Sequence, residues 1–108
     1  MANQPNPRDA VRNFTPKLIE LTEDVLFGDV WERPELSKRD RSLIVVATLI
    51  ALGKERQMVG HLNRALDNGL TVEEIKEVIT HLAFYSGWPT AMTAATIFKE
   101  VMEKREKG

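Results

Sequence analysis

The run Leu43-Ile44-Val45-Val46-Ala47-Thr48-Leu49-Ile50-Ala51-Leu52 constrains this chain more than any other stretch. It falls short of the about 20 apolar residues that a bilayer span needs. Read as a helix it is apolar on every side, and such a helix has to be covered all round. A chain of 108 residues offers little surface for that, because short chains bury a smaller share of their surface and gain from association. The run therefore predicts a small helical domain whose central helix is shared with further copies of the chain.

Capping signals set the other helices around it. Ser37-Lys38-Arg39-Asp40 reads as a capping box with Asp where Glu or Gln is usual, opening a helix from Lys38 to Leu52 that Gly53 interrupts. A helix from Lys54 to Asp67 follows, with Met58, Leu62, Ala65 and Leu66 at helical spacing and Asn68-Gly69 as its close. Thr71-Val72-Glu73-Glu74 is a complete capping box, and Ile75, Val78, Ile79 and Leu82 form one stripe behind it. That helix should stop near Gly87, since Trp88 precedes Pro89. A last helix, with Pro89 or Thr90 in its first turn, carries Ala91, Ala94, Ala95, Phe98, Val101 and Met102.

Upstream, Thr15 is expected to cap a helix that has Pro16 in its first position and closes at Gly28 through a positive φ. No strand signal or internal repeat is present. These signals predict an all-α chain of five to six helices: a flexible arm over 1–12, a single helical domain over 13–104, and a fraying tail over 105–108.

Composition removes several classes of function. Fifteen basic against 16 acidic side chains, a net charge of −1, gives no general electrostatic reason to bind nucleic acid or an anionic membrane. The absence of cysteine removes disulfides, thiolate metal sites and thiol redox chemistry. With no secretory leader pattern and no membrane span, the cytoplasm is the simplest address.

Two histidines are the first candidates for chemistry. His61 shares a helix face with Gln57 and Arg64. It reads either as a histidine hydrogen-bonded at an interface or as a general acid or base. His81 has Glu77 one turn before it and Tyr85 one turn after, which is either a helical side-chain pair or part of a site. No HxxxH or HxH spacing accompanies them, so no metal is expected. Arg33, Arg39 and Arg41 cluster at the start of the second helix, where a guanidinium fork suits a carboxylate and basic charge opposes the helix dipole. Trp31, Tyr85 and Trp88 lie near loops and helix ends, either as packing or as the wall of a pocket.

Four separated stretches, Phe27 to Pro34, Ser37 to Leu43, Ala65 to Gly69 and Glu74 to Pro89, occur in the order seen in the carboxymuconolactone decarboxylase family, which the chain resembles over about three quarters of its length. The resemblance implies an all-α fold related to the AhpD alkylhydroperoxidases, usually assembled as trimers or hexamers. In the peroxidase branch, a CxxCxxxH motif aligned on His61 puts Lys54 and Gln57 where the cysteines stand and its assisting acid near Ser42, so thiol peroxidase activity does not transfer. The decarboxylase branch turns 4-carboxymuconolactone into an enol-lactone of 3-oxoadipate without a cofactor. That chemistry requires a hold on carboxylates, stabilised charge on the lactone oxygen, and a proton delivered to carbon. The resemblance thus implies catalytic His61, His81 and Tyr85, and substrate-binding Arg39, Arg41, Ser42, Gln57, Trp31 and Trp88. His61 or His81 would give the proton, Arg39 or Arg41 hold carboxylates, and Tyr85 or Gln57 meet the oxygen. The partners expected are a small carboxylated substrate and further copies of the chain. The other reading is a non-catalytic oligomer that binds a metabolite or a partner protein.

Overall fold

The computed structural model of the chain describes residues 6–108. They fall into two compact units, one ending at Leu36 and the other spanning Ser37–Gly108.

The first unit opens with α1, Pro7–Val11, where the Asn6 side chain accepts from the Arg8 backbone N–H at 2.9 Å and Pro7 occupies the first turn. Part of the segment expected to be a loose arm is therefore a helical turn; residues 1–5 of that expectation lie outside the described residues. Arg12 fastens it, donating to both carboxylate oxygens of Glu23 at 3.0 and 2.7 Å and to Asp9 at 3.0 Å. The Arg8 guanidinium lies 5.1 Å from the centre of the Phe27 ring, a cation–π contact.

Helix α2, Pro16–Leu21, begins at its proline as expected, but Thr15 does not cap it. Its hydroxyl donates backwards to the Val11 carbonyl at 3.3 Å. Beyond Leu21 the helix widens into a π turn, Thr22–Phe27. The positive φ expected at Gly28 is absent, since its φ is −81°. Glycine is needed there for a different reason: a Cβ would meet the carbonyl oxygens of Asp24 at 2.7 Å and Glu23 at 2.8 Å. A 3-10 turn, Val30–Glu32, then carries the buried Trp31, whose ring stacks on Phe27 at 6.0 Å.

The second unit is four helices: α3 Lys38–Leu52, α4 Glu55–Asp67, α5 Val72–Ser86 and α6 Trp88–Lys107. Ser37 accepts from the Asp40 N–H at 3.0 Å. The reciprocal arm of that box is missing, because the Asp40 carboxylate turns to Arg39 instead. Gly53 closes α3 with φ +69°, and Gly69 supplies the left-handed turn after α4 with φ +109°. The box at the start of α5 is complete, with the Glu74 N–H on Thr71 Oγ1 at 3.0 Å and the Thr71 N–H on Glu74 Oε1 at 2.9 Å.

The core of this unit joins Val46 and Ile50 of α3, Met58, Leu62 and Ala65 of α4, Ile75 and Ile79 of α5, and Ala94 and Phe98 of α6. Helix α3 packs on α4, α5 and α6, and α6 packs on α4 and α5. The covering all round that the apolar run of α3 demands is incomplete among the described residues: Ile44 is 51% exposed and Leu52 65%. Among the described residues there is no strand, and no helix is long and apolar enough to cross a membrane.

Candidate functional site

Helical spacing brings the candidate chemistry together on two facing surfaces. On α3, Arg39, Leu43 and Ala47 recur every four residues; on α5, Glu74, Glu77, Val78, His81 and Leu82 recur at intervals of three and four. With Leu70 from the turn before α5 they line a groove of about 390 Å³. Leu43, Ala47, Leu70, Val78 and Leu82 make its walls apolar, while Arg39, Glu74, Glu77 and His81 are its charged and polar groups.

Arg39 is held from two sides. One terminal nitrogen, Nη1, donates to Asp40 Oδ1 at 3.1 Å, and the other, Nη2, donates to Glu74 Oε2. Since Glu74 Oε1 is already engaged by the Thr71 N–H, a single carboxylate both caps α5 and pins a guanidinium of α3. The Thr71 N–H, helped by the charge of Arg39, keeps the Glu74 carboxyl below the usual carboxylate range. A guanidinium has five N–H donors, so Arg39 retains donors for a ligand's carboxylate.

His81 is exposed in this groove, and its ring lies against that of Tyr85, with centroids 5.0 Å apart and planes at 40°. Tyr85 is itself 78% exposed. A turn further on, Phe84 meets the edge of Trp88 at 5.4 Å.

The remaining candidates lie elsewhere. His61 is half-buried on α4, where burial and then the charge of Arg64 push its pKa down, and its Nδ1 is buried with no hydrogen-bond partner among the described residues. Gln57, one turn earlier, is exposed. Arg41 is half-buried on α3. Ser42 is 2% exposed, and its hydroxyl accepts from Asn68 Nδ2 at 2.9 Å. Trp31 belongs to the first compact unit.

The structure thus gathers Arg39 and His81 in one groove, with Tyr85 against His81. Within the second unit it leaves His61, Gln57, Arg41, Ser42 and Trp88 outside the lining. Glu77, noted in the sequence only as the neighbour of His81, and Glu74, expected only as a helix cap, join the site. Their spacing to His81 carried the signal, but Glu74 already had a role as a cap. An anchored guanidinium, an accessible imidazole and apolar walls suit the binding of a small acid and the transfer of a proton. No cluster of three His, Asp or Glu able to hold a metal occurs among the described residues.

The model of the Carboxymuconolactone decarboxylase family matches residues 16–100, a span that includes every residue of the groove. A 4-carboxymuconolactone decarboxylase of Acinetobacter baylyi is 40% identical over 77 residues, covering 71% of this chain and 58% of that protein. A nitrosuccinic acid decarboxylase of Metarhizium robertsii is 33% identical over 104 residues, covering 93% of this chain and 73% of that protein. The match to the Acinetobacter protein therefore spans little more than half of that relative's length.

Proposed function

The chain belongs to the carboxymuconolactone decarboxylase family, and on that premise we propose that it is a carboxy-lyase acting without a cofactor on a small carboxylated lactone or related acid. The observation that carries the reading is the meeting of Arg39 and His81 in one groove inside the family-matched region. Two relatives whose names specify decarboxylation of two different acids support the reaction type more than either substrate.

In this reading Arg39 receives one carboxylate of the substrate through its remaining N–H groups. The bond between a second carboxylate and its carbon breaks, carbon dioxide leaves, and the electron pair spreads into an adjoining unsaturated group. His81 gives a proton to carbon, and the Tyr85 hydroxyl meets the oxygen on which charge collects. The apolar walls strengthen each of these electrostatic contacts. Burial favours the neutral form of His61, so less of it carries a proton to donate.

The reading includes a homo-oligomer, a trimer or hexamer, working in the cytoplasm. Its support is the uncovered apolar surface: Ile44 and Leu52 on α3, and Phe84, Trp88 and Met92, which are 74%, 57% and 59% exposed.

The test is release of carbon dioxide from 4-carboxymuconolactone and from nitrosuccinate by purified protein. Turnover that His81→Ala removes while the assembly stays intact is the expected result. Absence of turnover on both acids, or a His81→Ala rate equal to that of the parent, would overturn the proposal, and retained affinity without turnover would favour the binding-protein reading.

A further inference from the structure

We infer that Glu74 is the positioning residue of the site: it holds the Arg39 guanidinium at the groove in the orientation that receives a carboxylate. This rests on the reading of Arg39 as the carboxylate-holding group.

The Glu74 side chain is fixed at both of its oxygens. Oε1 accepts from the Thr71 N–H at 2.9 Å, within a capping box that the Thr71 hydroxyl closes from the other side, and Oε2 accepts from Arg39 Nη2. The anchor of Arg39 is therefore part of the N-terminus of α5, whose own backbone sets the position of the carboxylate. Arg39 stands near the start of α3, a long side chain with much rotamer freedom to lose in any single geometry. Its other partner, Asp40, is the next residue on the same helix and can follow the guanidinium as it moves. Glu74 is the partner that ties it to the opposite wall of the groove. A guanidinium anchored at one nitrogen keeps N–H groups directed at fixed angles, which is what a paired hydrogen bond to a carboxylate requires. Glu74 also neutralises Arg39 in part and repels an incoming anion; fixed direction outweighs that repulsion if Glu74 positions, and the reverse holds if it competes.

Glu74→Gln separates the two roles of the residue. The glutamine oxygen still accepts from the Thr71 N–H, since glutamine serves in a capping box, but the amide nitrogen that then faces Arg39 accepts nothing. Two measurements follow. The first is the order parameter of the Arg39 Nε–H by nuclear magnetic resonance, which needs no ligand: in Glu74→Gln it should fall while the melting temperature holds. The second is the affinity for succinate, an inert dicarboxylate, which should weaken about tenfold in Glu74→Gln, the loss of one charge-assisted contact. In an Arg39→Ala background the same substitution should change nothing further.

An Arg39 Nε–H as ordered in Glu74→Gln as in the parent would overturn the inference, and so would tighter succinate binding, which would make Glu74 a competitor for Arg39. Succinate affinity unchanged by Arg39→Ala alone would instead contradict the reading of Arg39 on which the inference rests. The order parameter would still decide whether Glu74 positions the guanidinium.

Discussion

His61 and His81 illustrate how one residue type is sorted by its surroundings. Both are helical and both have polar neighbours a turn away, so the sequence offers no ground for choosing between them. The choice depends on which face of its helix each occupies and what packs there, which are properties of the packed unit. His81 comes out exposed in a groove with Arg39, whereas His61 is half-buried with an unpartnered Nδ1. Because burial lowers the pKa of His61 in the folded state, the unfolded chain, with a value near 6.5, binds the proton more readily. The stability this contributes is complete above about pH 6.5 and is lost as pH falls through the lower folded value. Denaturant titrations at a series of pH values should show His61→Gln to be less sensitive than the parent to acidification below about pH 6.5; identical pH dependence would contradict the account of His61.

The elements were the most legible part of the molecule, because caps and stripes are local chemistry. Ser37, Gly53, Thr71 and Glu74 mark helix ends in the sequence and do so in the structure. The misreadings have local causes as well. Thr15 turns its hydroxyl to the Val11 carbonyl because α1, formed from a stretch of polar, proline-bearing sequence, places that acceptor behind it. The expectation of a positive φ at Gly28 rests on the frequent pairing of glycine with a left-handed helix close. The π turn before it instead brings two carbonyl oxygens to where a Cβ would stand, a close approach that no side-chain pattern announces. Gly28→Ala should therefore lower the melting temperature even though its φ of −81° suits alanine. Thr71→Ala, which opens the capping box of α5, should cost about 1 kcal/mol in chemical denaturation. If Gly28→Ala proves neutral, the close approach of the Asp24 and Glu23 carbonyls is not as described.

Across the second compact unit, Ser37–Gly108, the groove shares its surface with the exposed apolar side chains of α3, α5 and α6. The all-round apolar character of the α3 run is legible in the sequence. What covers its outer side is not, because that depends on surfaces brought together from separate helices. Phe84 and Trp88 straddle the α5–α6 junction edge to face, with Met92 one turn further along α6, and form a second apolar stripe that helical periodicity within either helix alone does not reveal. Sedimentation equilibrium should show an assembly larger than a dimer, and Trp88→Glu, which places a charge on that stripe, should shift it towards smaller species. A parent protein that sediments as a monomer at micromolar concentration would remove the oligomer from the account.

An anchored guanidinium and an accessible imidazole in one groove are what we propose make this family member a decarboxylase. Carbon dioxide release from 4-carboxymuconolactone and nitrosuccinate by the parent and by His81→Ala decides this. Turnover of at least one of the two acids is expected, at least a hundredfold slower in His81→Ala by the usual magnitude of acid–base catalysis, about 10²–10⁴. No carbon dioxide from either acid, or equal rates in the two proteins, would contradict it.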